Sequence, residues 1–471
     1  MPKPAAGLDP APDPVQLPAP AQSLASRALG AVLWAGLLFM LGANLPGHMS
    51  LDSVTQLHEG RAGVRETWAP ATMSWLLGRF DDLVPGTGLY VTASALILTL
   101  SLLSLRTLRP RTSWPAVALG LGMVLTPALI IYQAIVWKDV LFTNLAIAGF
   151  VCLAHAARSW ADRRSRLLPV AGALLMFAFG ALIRQNGVLA LGFAALALAW
   201  TARAGGWRAS LGWFAGFLLA GLVLIQVIGA AVQPPGSSSA EDTRRGVRVL
   251  QHYDIVGALA HDPGLKLDII QKAAPLAWRT IRLQGPRAYT PERVDTFGAV
   301  PALGQSLWPL PDAVVADQWR DIVLHHPGAY LAHRFDVFVW TFATPIIDRC
   351  LPIQVGVEGS PEKLKDLNIP SGVEPQDQSM VNYATWFFDT PLYSHLTYAV
   401  IALLVAGFLL WRRDPADVLV AGLQLSALAF TASFLLISVA CDYRYLYFLD
   451  VAAMSGLLYV ALDPTLRRGG R

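Results

Sequence analysis

Ten apolar stretches, each close to the length of a membrane-crossing helix, constrain this chain more than any motif in it. They lie at residues 28–46, 88–105, 114–132, 140–157, 167–183, 187–201, 211–232, 392–411, 418–440 and 446–462. About 20 apolar residues suffice for a helix to cross the hydrocarbon core. Composition agrees, with 54% hydrophobic and only 14% charged residues, where a soluble domain carries about 25% charged. In lipid, backbone N–H and C=O groups must find partners within the protein, which limits spanning structures to helices and closed barrels. Segments of this length select helices. The expected fold is therefore an all-α integral membrane bundle of about ten transmembrane helices.

Arginine placement sets the expected orientation, because short cytoplasmic loops are enriched in Lys and Arg. With the N-terminus inside, the inner loops hold Arg106, Arg109 and Arg111, then Arg158, Arg163, Arg164 and Arg166. Arg203 and Arg208, Arg412 and Arg413, and finally Arg467, Arg468 and Arg471 follow on the same side. Both termini are then cytoplasmic. The net charge of +4 is scattered in these clusters. It forms no continuous basic face of the kind that nucleic-acid binding requires.

The expected organisation is a disordered tail over 1–27, a first membrane module over 28–232, an outer domain over 233–391, closing membrane helices over 392–463 and a short tail over 464–471. Met1–Ser26 is rich in Pro and Ala and lacks the regions of a cleaved signal peptide. The first outer loop, 47–87, contains an amphipathic run over 72–83 suited to the interface. The outer domain opens on a linker, Gln233-Pro-Pro-Gly-Ser-Ser-Ser. Helical periodicity follows over 247–259, 312–325 and 330–342, whereas 356–377 reads as an irregular loop. Trp137, Trp386 and Tyr393 fit an aromatic belt at span ends.

Charged groups collect where these spans meet the outer face. Asp52 follows the first span, flanked by Ser50, Ser53 and Gln56. It fits a general base acting on an acceptor hydroxyl, or a cap for a helix over 53–59. Lys138-Asp139 interrupts an apolar run, where charge is costly and usually functional or paired. Arg184-Gln185-Asn186-Gly187 offers a guanidinium to a phosphate oxygen, or an anchor snorkelling to headgroups. Asp442-Tyr443-Arg444-Tyr445 either locks internally or completes a phosphate site. His325, His326 and His333 lack a metal-ligand pattern and read as surface helix residues. Cys350 and Cys441 fall outside, where disulfides persist, and Cys152 falls within a span; spacing leaves open whether the first two are bridged.

In this order and sidedness, Pro46-Gly47-His48-Met49-Ser50-Leu51-Asp52-Ser53, Trp68-Ala69-Pro70, Lys138-Asp139, Arg184-Gln185-Asn186-Gly187 and Asp442-Tyr443-Arg444-Tyr445 resemble the GT-C class of polytopic glycosyltransferases. The likeness is to its bacterial branch, the superfamily of protein O-mannosyltransferases and aminoarabinose transferases. It covers most of the membrane part and is weaker over 233–391. The resemblance implies inverting transfer of a sugar from a polyprenyl-phosphate donor to a glycan, lipid or protein acceptor on the periplasmic face of a bacterial inner membrane. It maps the catalytic aspartate onto Asp52. Lys138, Arg184 and Arg444 are then the donor-phosphate ligands, supported by Ser50, Gln56, Asp139, Asn186, Asp442 and Tyr445. Ser53 stands where many members carry a second acid, and Ala69-Pro70-Ala71 where relatives often have His-Pro-Pro. The first departure weakens a two-carboxylate metal site, so no cofactor is assigned and a divalent metal is left open.

Two rivals follow from the same segments. An O-antigen-ligase-like enzyme would depend on Arg334 and His326 of the large outer segment. A transporter or lipid flippase would place charges or broken helices near mid-membrane, whereas here they gather at one face.

Overall fold

The computed structural model describes residues 23–67, 70–234 and 236–465. Most of the tail expected over 1–27, together with Trp68, Ala69, Arg467, Arg468 and Arg471, lies outside them. Among the described residues the secondary structure is helical, with only isolated bridges in extended conformation. Among the described residues nine helices are long and apolar enough to cross a membrane. The chain is an all-α, multi-pass membrane protein.

The first membrane helix, α1 (Leu24–Asn44), starts before the expected boundary because Ser23 caps it, accepting from Ser26 N at 3.2 Å. Two short helices follow, α2 (Leu51–Ala62) and α3 (Ala71–Leu83). They pack backbone to backbone through Gly60 and Gly78; a Cβ on Gly60 would stand 2.0 Å from the Ser74 carbonyl oxygen. Next come α4 (Gly88–Leu105), α5 (Trp114–Val124) and α6 (Pro127–Ile130). The continuous span expected over 114–132 is instead broken, with a 66° bend between 114–124 and 127–134. Pro127 explains it, since proline disfavours helical backbone at the residue before it and removes a donor.

The remaining spans of the first module are α7 (Lys138–Arg158), α8 (Arg163–Ile183), α9 (Val188–Thr201) and α10 (Trp207–Val232). Helix α7 is the axis of the bundle, 89% buried along its apolar window. It touches α4, α8 and α9 and two of the closing helices.

The segment after α10 forms a second core from α11 (Ser239–His261), α12 (Asp268–Ala273), α13 (Pro275–Ala288), α14 (Pro301–Leu307), α15 (Asp312–His325) and α16 (Pro327–Ala343). Leu259, Ile270, Ile281, Phe297, Ile322 and Val337 fill it. Residues 356–377, expected to be irregular, contain α17 (Pro361–Leu367) and the start of α18 (Pro375–Thr385). Ser360-Pro361 and Glu374-Pro375 each place proline in the first helical turn, where its missing N–H costs nothing. The chain closes with α19 (His395–Arg412), α20 (Pro415–Ile437) and α21 (Tyr447–Leu462).

Both ends of the bundle are defined by contacts. At one end Arg109 and Arg412 share the buried carboxylate of Asp417, at 2.9 and 2.6 Å, and Arg106 donates to the Ser26 carbonyl at 2.6 Å. These arginine loops share one face, as their spacing predicts. At the other end the second core is sewn to the loop before α21. Val294 N donates to Val439 O at 2.9 Å, and Cys441 N to Glu292 O at 2.8 Å. Arg334 donates to Ser438 O at 2.7 Å. Cys350 and Cys441, with Cα atoms 4.9 Å apart, are bridged.

Three expectations need correction. His333 is fully buried rather than on the surface, held by Asp254 at 3.1 Å and Tyr289 at 2.9 Å. Burial pushes its imidazole down to about 3. Trp137 and Tyr393 are core residues rather than belt residues, at 1% and 5% exposure, because both pack among the aromatic rings around Tyr132 and Tyr443. Trp386 is exposed.

Candidate active site

Asp52 sits in the first turn of α2, and a short ladder fixes where that turn begins. His48 N donates to Ala134 O and Val136 N to His48 O, both at 2.9 Å. Ser53 then donates to Val136 O at 2.6 Å, and Trp137 Nε1 donates to Ser50 Oγ at 3.0 Å. The approach to Asp52 is thus tied, residue by residue, to the approach to Lys138. Ser53, standing where the resemblance would place a second acid, is wholly buried and spends its hydroxyl on this tie. Ser50 is the N-cap of α2 by position but makes no side-chain cap. Asp52 is not a cap either: its carboxylate takes Arg444 Nη2 at 2.7 Å.

A cleft of about 300 Å³ opens beside this pair. Asp52, Lys138, Arg184, Asn186, Arg444 and Tyr445 all line it, joining four separate stretches of the sequence. Arg184 is the residue at which α8 ends, and it reaches Asp139 at 3.0 Å. Arg444 lies in a single 3-10 turn before α21 and also meets Asp442 at 3.1 Å. Tyr445 is held between the two guanidinium groups, 5.0 Å from Arg184 and 5.8 Å from Arg444. Lys138 feels the charges of Asp52, Asp139, Arg184 and Arg444. Buried Nε donors of Arg184 and Arg444 have no hydrogen-bond acceptor among the described residues.

The carboxylates divide by environment. Burial works to raise the Asp52 carboxyl, but the charge and hydrogen bond of Arg444, aided by Lys138, outweigh it and hold it below its ordinary value. Asp52 is also 54% exposed on its side chain, so it remains accessible. At Asp442 burial wins and raises the carboxyl, with Arg444 and Arg293 opposing and Asp52 and Asp139 adding to the rise. An ionised, accessible acid thus lies beside three cations, with a second acid behind it serving as a counter-charge.

Of the supporting residues, Asn186 lies in the cleft wall and donates to Ser433 at 3.0 Å. Ser50, Asp139 and Asp442 stand behind the wall and hold Trp137, Arg184 and Arg444 respectively. Gln56 is buried on α2 and does not line the cleft. The sequence reading missed the roof: Thr243, Gly246, Val247 and Leu250 of α11 close the cleft from above. Val247 and Leu250 fall within the helical periodicity over 247–259 and Thr243 and Gly246 before it; no charge or motif marked any of them. Phe434, Ile437 and Ile183 form an apolar wall continuous with membrane helices. Among the described residues no group of three or more His, Cys, Asp or Glu side chains is arranged to hold a metal ion.

No family model matches the chain. No curated protein matches it either. Two solved structures are similar to it at low identity. One is the arabinosyltransferase EmbB from Mycobacterium smegmatis, with TM-score 0.37 and 17% identity over 95% of this chain. The chain spans 42% of that protein's length. The other is ArnT from Cupriavidus metallidurans in the apo state, with TM-score 0.35 and 14% identity, covering 93% of this chain and 78% of that one.

Proposed function

We propose that this protein is an inverting membrane glycosyltransferase that moves a sugar from a polyprenyl-phosphate donor to an acceptor hydroxyl at the periplasmic face of a bacterial inner membrane. One observation carries the reading: a single cleft at the membrane end holds an ionised carboxylate, three cations and an apolar wall. A lipid phosphate needs that combination. The prenyl chain runs along Phe434 and Ile437, and the phosphate meets Lys138, Arg184 and Arg444. In the transfer the acceptor O–H gives its proton to Asp52, the acceptor oxygen bonds to the anomeric carbon, and the bond from that carbon to the phosphate oxygen breaks on the opposite face. The departing polyprenyl phosphate gains charge as the bond breaks, and fixed cations stabilise it. A single inverting displacement needs one base, unlike the paired carboxylates of glycoside hydrolysis. Arg444 is held by Asp52 before donor arrives; a phosphate competing for that guanidinium frees the carboxylate to accept a proton.

The ligase-like rival fits less well. Arg334 is fully buried and committed to Asp254 and Ser438, and His326, just before α16, does not line the cleft. The test is mass spectrometry of lipid-linked sugars and envelope glycans with and without the gene. Accumulation of a polyprenyl-phosphate sugar on deletion, with loss of that sugar from one glycan, is the expected result. Unchanged donor and glycan pools would contradict the assignment.

A further inference from the structure

A second cavity of about 380 Å³ adjoins the cleft and shares Pro70, Gln185 and Thr243 with it. It lies between the start of α3, the ends of α8 and α10, and the first turns of α11. Its chemistry differs sharply from its neighbour's. The cleft holds three cations; among the described residues no lysine or arginine lines the second cavity. Among the described residues one ionisable group lines it, Asp242, and that is engaged by Arg65 at 3.0 Å. The remaining polar lining is amide and hydroxyl, with Gln185, Gln226 and Gln233 supplying the amides and threonine and serine side chains the hydroxyls.

Gln226 is the telling residue. Past Ser210 every other residue of α10 as far as Val232 is apolar or glycine. Gln226 lies six residues from that end, roughly 9 Å along the helix axis at 1.5 Å per residue. A polar side chain placed in a spanning helix is costly unless it faces the protein interior or a polar cavity. Its side chain is exposed rather than buried within the bundle, and it lines this cavity. An amide offers two donors and an acceptor, a match for adjacent sugar hydroxyls. A phosphate would instead need charge-assisted donors.

Resting on the glycosyl-transfer reading above, we infer that the second cavity is the acceptor subsite and that it takes an uncharged, polyhydroxylated glycan rather than a phosphorylated one. The wall shared at Pro70, Gln185 and Thr243 lets such a glycan present one hydroxyl to Asp52 while its neighbours bond Gln226 and the other amides.

The experiment uses the full chain in nanodiscs, the lipid-linked donor pool of the source cells, and envelope glycans from cells lacking the gene. Anion exchange separates those glycans into an uncharged and a phosphate-bearing pool, and mass spectrometry reads sugar transfer to each. Transfer to the uncharged pool is expected. Gln226→Leu, which removes one hydrogen-bonding group and suits a membrane helix, should raise the acceptor concentration for half-maximal rate by about three- to tenfold and leave the donor's unchanged. Gln226→Lys should shift transfer toward the phosphate-bearing pool. Product in the phosphate-bearing pool alone, or a Gln226→Leu effect confined to the donor, overturns the inference while leaving glycosyl transfer intact. Transfer to neither pool overturns the glycosyltransferase reading, and this inference with it.

Discussion

Arg444 answers two carboxylates with one nitrogen, 2.7 Å from Asp52 and 3.1 Å from Asp442, and this sharing sets the pH behaviour of the site. Its charge is a main reason that Asp52 stays ionised despite partial burial. Replacing it by glutamine leaves burial opposed chiefly by Lys138, so the Asp52 carboxyl rises. As pH falls, kcat/KM requires ionised Asp52, so its acid limb should move to higher pH in Arg444→Gln. A limb unmoved in a pH profile of well-folded variant would remove Arg444 from that role. Arg184 makes a different prediction. A hydrogen bond to a charged group is worth about 1.5–3 kcal/mol, so Arg184→Ala should weaken donor binding by about 10- to 150-fold. Arg184→Lys keeps charge but loses the planar fork and should fall between. Donor affinity equal to wild type in Arg184→Ala would contradict the phosphate site. These residues were legible in the sequence because a charge ending an apolar run is expensive and therefore conspicuous. Gln56 was not separable from them, since a neutral amide near Asp52 gives no sign of which side of α2 it occupies.

At the level of elements, the sequence located spans well and bends poorly. Apolar length fixes where a helix crosses, but the 66° break between α5 and α6 turns on Thr126-Pro127 within an otherwise continuous run. Likewise α17 and α18 were hidden by their polar composition, although Ser360-Pro361 and Glu374-Pro375 are helix starts by local chemistry. Of the strap over 438–441 the sequence raised only the Cys350–Cys441 pair, and left it open; the partners Glu292, Val294 and Arg334 were illegible, because they lie more than a hundred residues away in sequence. That strap positions Asp442 and Arg444. Its disulfide closes a separation of 91 residues, and removing such a cross-link typically costs about 2–4 kcal/mol. Cys350→Ser with Cys441→Ser should therefore lower the melting temperature and impair transfer. Thiol titration of denatured, unreduced protein should find Cys152 alone. Finding three thiols would show that the strap is not cross-linked.

For the whole molecule, the arginine loops gather at one end and the cleft at the other, so sidedness and mechanism stand together. A Ser238→Cys protein should label from outside intact cells with an impermeant thiol reagent; labelling only after permeabilisation would place the cleft in the cytoplasm, where a lipid donor is not required. In the proposed step Asp52 takes a proton while a lipid phosphate leaves. It is tested most directly by sugar transfer from the lipid-linked donor, using full-length wild type and Asp52→Asn in nanodiscs with melting temperatures measured alongside. Asparagine keeps the shape of the side chain but cannot accept the proton, so the rate should fall by about 10²–10⁴ with donor binding retained. An Asp52→Asn protein that melts like wild type and turns over at a near-normal rate would contradict the account.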